Sequence, residues 1–134
     1  MNNTAILKTY HAESAANPDA DLVVKYIKRV WNQKKLSELS VYLHDDYVDH
    51  SMPHACVQNK EGLLLYLHEL ARMVSHSTEI MGLKTLGELV ICHLRISVSA
   101  VSKKDDVSGR TEVFYGYRTF RMFNNKIAEH WESF

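Results

Sequence analysis

Apolar residues in the first half of the chain recur at helical spacing, and in the second half they alternate. Leu22, Tyr26 and Val30 repeat every four residues beside Val23, Ile27 and Trp31, which predicts a helix over about 19–34. Asn17-Pro18 opens it as a cap followed by a proline whose missing N–H costs nothing there, and Asp19 and Asp21 suit its N-terminal dipole. Leu36, Leu39, Tyr42 and Leu43 mark a second, short helix over about 36–43. Tyr47-Val48-Asp49-His50 reads as a short strand ending before Pro53. A third helix is expected over about 60–75, capped by Asn59, with Leu63, Leu67, Leu70 and Val74 as its stripe. From about residue 78 the period is two. Val90, Cys92, Leu94, Ile96, Val98 and Ala100 form the buried face of a long strand, and further strands follow at about 111–123 and 126–134. The polar run Lys103–Gly109 is a turn, and Asn124-Asn125 supplies a tight hairpin. Three helices followed by a sheet make an α+β domain over 18–134, behind a weakly patterned arm at 1–17.

A two-residue loop at Asn124-Asn125 would set Phe123 opposite Lys126, Phe120 opposite Glu129, Thr119 opposite His130 and Arg118 opposite Trp131. One face then holds Phe114, Arg118, Phe120, Met122, Ile127, Glu129 and Trp131, and the other holds Tyr115, Tyr117, Thr119, Arg121, His130 and Glu132. The first face is apolar apart from one Arg and one Glu, so Arg118 and Glu129 are expected to pair. That pair is either a structural ion bridge beneath the helices or the polar wall of a cavity. The second face, rich in tyrosine, suits partial exposure or contact with a second copy.

Composition narrows the function classes. Sixteen basic residues cancel sixteen acidic ones among 134, so no long-range field is available to hold nucleic acid or an acidic membrane surface. No apolar run approaches the ~18 residues needed to span a bilayer, and residues 1–17 lack a signal peptide's apolar stretch. Cys56 and Cys92 are too few for a disulfide framework and are read as free buried thiols, in keeping with the cytoplasm. Eight histidines are unusual for this length.

Trp31-Asn32, the stretch from Tyr42 to His50 with Pro53 behind it, and the run Phe120-Arg121-Met122-Phe123-Asn124-Asn125-Lys126-Ile127-Ala128-Glu129-His130-Trp131 together resemble the SnoaL-like, polyketide cyclase-like branch of the NTF2-like superfamily. The resemblance covers about 19–134. It implies a cone: three helices on a curved, mixed or antiparallel sheet around a pocket, usually paired as a homodimer through the outer sheet face. It implies a small apolar carbonyl compound as ligand and cofactor-free proton transfer, such as aldol cyclisation, isomerisation or dehydration. Cyclases of this type tend to carry an acid two positions before the closing Phe-Arg. Here that position is Arg118, which is no base at neutral pH. Asn125 replaces the usual turn glycine.

The expected proton carriers are therefore His50 or Glu129, with Arg118 as the carbonyl or anion clamp and Trp131, Phe120 and Tyr26 as binding walls. An Arg118 partner would lower the basicity of Glu129, which favours His50. Only one of Asp49 and His50 can face a cavity from a strand, and the resemblance selects His50. His44, His50 and His54 lie among Asp45, Asp46 and Asp49, but the spacing matches no closed zinc pattern and reads as a solvated acidic loop. His68 is expected at the flank of its helix and His93 on the polar side of its strand, whereas His11 and His76 carry no signal. Without phosphate loop, dinucleotide fingerprint or GxSxG elbow, no cofactor or metal is expected. The alternative is a non-catalytic binding or assembly module on the same fold, because a clamp without a base binds without turnover.

Overall fold

The computed structural model describes residues 17–53, 57–101 and 110–134. The expected N-terminal arm before Asn17, the turn at Lys103–Gly109, His11, His54 and Cys56 lie outside the described residues. Helix α1 (Pro18–Tyr26) starts as expected, with the Asn17 side chain accepting from the Ala20 N–H at 3.1 Å. It widens without a break into a π-helical segment, Ile27–Asn32. A short 3₁₀ turn, Leu36–Glu38, leads into α2 (Leu39–Tyr42), and α3 (Lys60–Met73) is capped by Asn59. The strands are β1 (Leu43–Asp49), β2 (Val74–Leu86), β3 (Leu89–Ala100), β4 (Thr111–Phe123) and β5 (Lys126–Ser133).

They form one mixed sheet in the order β1-β5-β4-β3-β2, with β1 parallel to β5 and every other pair antiparallel. The helices cover one face. Val23, Tyr26, Ile27 and Val30 of the first helical stretch and Leu63 and Leu67 of α3 pack on Val90, Cys92, Leu94, Phe120, Met122 and Ile127. Each such side chain contributes about 1.5–3 kcal/mol by leaving water. Burial pushes the Cys92 thiol up to about 12, so it is an inert core residue.

The elements depart from the sequence pattern in three places. Helix α3 ends at Met73, and β2 begins at Val74. Its polar run Ser75–Glu79 masks the alternation because β2 is an edge strand with one pairing partner. Strand β1 begins at Leu43, four residues before Tyr47, because parallel pairing with β5 already holds Leu43 against Ile127. Third, the last hairpin is not regular. Phe123 pairs with Lys126 and Met122 with Ile127, but Arg121 then pairs with Glu129, leaving Ala128 as a bulge. Every later residue is displaced by one. Phe120 lies opposite His130, Thr119 opposite Trp131 and Arg118 opposite Glu132. The expected Arg118–Glu129 pair is therefore replaced by Arg118–Glu132, because a one-residue slip sends each side chain to the other face.

Asn124 (φ 50°) and Asn125 (φ 62°) both occupy the left-handed region that the tight hairpin demands. Glycine adopts that region without steric cost. Asn125→Gly should therefore raise stability by about 0.5 kcal/mol in urea unfolding, and a loss of stability would contradict the turn geometry.

Candidate functional site

A cavity of about 350 Å³ opens between the helices and the inner sheet face, at the small end of ligand pockets. Its walls are largely apolar: Leu70 of α3, Val74 of β2, Ile96 and Val98 of β3, Phe114 of β4 and Phe134 just past β5. Gly116 makes room for the last of these, since a Cβ there would lie 2.4 Å from the Phe134 ring. The polar groups are those of Arg118, Glu132, His76, Thr78 and Tyr66. Trp31 reaches the cavity from the π-helical segment. That segment is anchored to β2 by a reciprocal pair of bonds: Asn32 Nδ2 donates to the Thr78 carbonyl at 2.8 Å, and the Thr78 N–H donates to Asn32 Oδ1 at 2.7 Å. Widened helical turns of this kind recur at functional sites.

Arg118 is the central charge. It is 6% exposed, its guanidinium lies 4.1 Å from the Trp31 ring centroid, and its Nε donates to Glu132 at 3.2 Å. Its Nη1 is buried and has no hydrogen-bond partner among the described residues. A guanidinium half satisfied by a carboxylate and half by an aromatic face keeps one strong donor in reserve. A smaller recess, lined by Trp31, Tyr66, Arg118 and Glu132 together with Asp49, Ser51, Met52 and Leu63, lies beside it.

Asp49 lines that recess. It is 1% exposed, and its carboxylate accepts from four donors: the Tyr47 and Ser51 hydroxyls, the Ser51 N–H at 2.9 Å and His130 Nδ1 at 3.1 Å. Burial opposes the ionised form, but the bonds from His130, Ser51 and Tyr47 outweigh it and hold the carboxyl well below the usual range. His130, 2% exposed, is pushed the other way: burial lowers its pKa against the opposing pull of Asp49. The imidazole is therefore neutral near pH 7, with Nδ1–H donating to Asp49 and its ring stacked on Phe120 at 4.9 Å.

Of the residues anticipated from sequence, only Arg118 lines the cavity. Tyr26 and Phe120 are buried in the core, their rings edge-to-face at 6.1 Å. His50 and Glu129 do meet, Nε2 to Oε2 at 2.8 Å, but on the far side of the sheet. Asp49, not His50, is the residue that β1 points inward. Trp131, 36% exposed, stacks on His50 at 4.9 Å outside, so it is no cavity wall. Hydrogen bonds from His50 and Arg121 lower the pKa of Glu129, so it is a weak base where it stands. The register slip at Ala128 accounts for the displacement of Glu129 and Trp131. His68 is exposed on α3, and His93 stacks on Tyr117 on the outer face. Among the described residues no group of three metal-binding side chains comes together, and no helix is long and apolar enough to cross a membrane. Sequence reasoning missed His76, Glu132 and the Asp49–His130 pair. Only Trp31-Asn32 and the closing motif carried a signal for this region.

No family model matches the chain, and no curated protein does. Solved structures do. A "putative polyketide cyclase" from Acidithiobacillus ferrooxidans superposes with a TM-score of 0.73 at 16% identity, over 87% of both chains. An NTF2-like protein of unknown function from Burkholderia pseudomallei gives 0.72 at 12% identity, over 88% of this chain and 91% of its own. An LEH-like epoxide hydrolase from M. tuberculosis gives 0.69 at 11% identity, over 86% and 80%. At these identities the superpositions bear on the fold alone: three helices on a mixed five-stranded sheet, matching NTF2-like neighbours.

The Asp49–His130 pair fixes how stability should respond to acid. Both native pKa values are depressed, so the unfolded chain binds protons more readily than the native one as pH falls. Stability should decline from about pH 6.5, the ordinary histidine value, and fall further below about pH 4 as Asp49 is reached. His130→Gln should flatten the limb between pH 7 and 5 in chemical denaturation, and Asp49→Ala should cost about 3–5 kcal/mol at pH 7. An unchanged limb in His130→Gln would show that this histidine is not the source.

Proposed function

We propose that the protein binds a small, largely apolar molecule bearing one carbonyl-type acceptor, with Arg118 as its polar grip. The observation that carries this reading is the buried Arg118 Nη1, which lacks a partner among the described residues beside an apolar cavity of about 350 Å³. Apolar walls supply affinity, and one charge-assisted hydrogen bond fixes orientation. Glu132 already balances the guanidinium charge, which favours a neutral acceptor over an anion. The polyketide cyclase-like and epoxide hydrolase-like neighbours on this fold fit a ligand of that kind. His50 and Glu129, as proton carriers, would serve the outer face and not this ligand. The same reading pairs two copies through the outer sheet face, where Tyr115, Tyr117 and Trp131 are exposed.

Calorimetric titration with 2-tetralone and with tetralin, the same two rings without the carbonyl, tests the grip. The ketone should bind about 10–100-fold more tightly, and Arg118→Met should erase that difference. Met keeps much of the apolar stem, and Glu132 retains access to water, so the fold should survive. Equal affinity for ketone and hydrocarbon in the wild type would refute the clamp. For the paired outer faces, sedimentation equilibrium should give a dimer that Tyr117→Glu converts to a monomer. A monomeric wild type would end that part of the reading.

A further inference from the structure

We propose that His76 is the base of this cavity, removing a proton from the carbon next to the carbonyl that Arg118 holds. The inference rests on the binding reading above and adds a reaction to it. His76 sits on β2 opposite Val98, on the strand face that also presents Val74 and Thr78 to the cavity. Its ring meets Trp31 edge-on at 6.0 Å, and Trp31 in turn carries the Arg118 guanidinium on its face. One indole thus separates a base from a hydrogen-bond donor across an apolar space.

The other titratable groups at the cavity and in the recess beside it are committed elsewhere. Glu132 accepts from Arg118, and Asp49 accepts from four donors. Tyr66 also has interactions of its own. The ring nitrogens of His76 make no hydrogen bond among the described residues, so a lone pair is available to a ligand. Two charged groups bear on it, Lys34 from just past the first helical stretch and Arg118 from β4, and Glu132 of β5 lines the same cavity. Burial foremost, then Lys34 and Arg118, lower its pKa, so the ring carries no proton near pH 7.

The step balances without a co-reactant. An imidazole nitrogen takes the α-proton, the C–H electron pair becomes the C=C bond, and the carbonyl π pair moves to oxygen as an enolate. Arg118 Nη1–H donates to that oxygen as its charge grows. The imidazolium then returns the proton to the same carbon or, in a conjugated substrate, to a more distant one. Nothing is oxidised or reduced, so the substrate class is an enolisable, predominantly apolar ketone.

Exchange of the α-hydrogens of 2-tetralone in D2O, followed by proton NMR, reads the step directly. The wild type should exchange above the buffer rate, rising with pH through the histidine titration to a plateau by neutrality. His76→Gln should lower the protein-catalysed rate about 100-fold or more while 2-tetralone still binds. In His76→Ala, added imidazole should restore exchange, which a merely structural role would not allow. His50→Gln, on the outer face, should leave the rate unchanged. Binding without exchange in the wild type, or full exchange in folded His76→Gln, would overturn the role of His76 and leave the clamp standing. Failure of 2-tetralone to bind at all would remove the clamp, and the base with it.

Discussion

A single buried carboxylate organises this molecule. Asp49 belongs to β1, is satisfied locally by Tyr47 and Ser51, and is reached across the sheet by His130 of β5. An ionised carboxylate away from water is tolerable only when its lone pairs are filled, so the geometry of all three donor residues is constrained at once. That requirement aligns β1 with β5, in register Asp49 to His130, and makes His130 an inward-facing residue. With His130 inside, Glu132 is inside as well, and Arg118 acquires its partner. The cavity's charge balance therefore descends from a contact two residues earlier in the same strand.

The bulge at Ala128 is what reconciles a tight hairpin with that demand. From the turn, regular pairing would have placed Glu129 and Trp131 beneath the helices; from Asp49, His130 must be there. One extra residue in β5 satisfies both. A carboxylate on the helix-covered face at 129 would have had Phe120 directly across from it, whereas outside it meets His50 and Arg121.

Much of the fold was legible because its signals are local: the caps at Asn17 and Asn59, the helical stripes, the two-residue turn and the alternation of β3 are all written within a dozen residues. The resemblance carried by Trp31-Asn32 and the closing motif extended this to the whole architecture. The site was less legible because it depends on register. A bulge leaves no mark in the alternation at Ile127-Ala128-Glu129, where a small residue beside an aliphatic one fits either face. Arg118 was found because its strand lies before the bulge, and Glu129 and Trp131 were misplaced because theirs lie after it. His76 was invisible because β2 is an edge strand whose polar residues hide its period.

The sheet order has a further consequence for the biogenesis of the protein. Strand β1 can pair only with β5, so Asp49 waits for a partner 81 residues further along. At ordinary synthesis rates of ~5–20 residues per second, that wait on the ribosome is roughly 4–16 s. Throughout it, β1 has an unpaired edge and its carboxylate keeps water for company. Closure of the sheet, and with it burial of the charge on which the interior depends, must therefore await the emergence of β5, which gives the nascent chain a long exposed period.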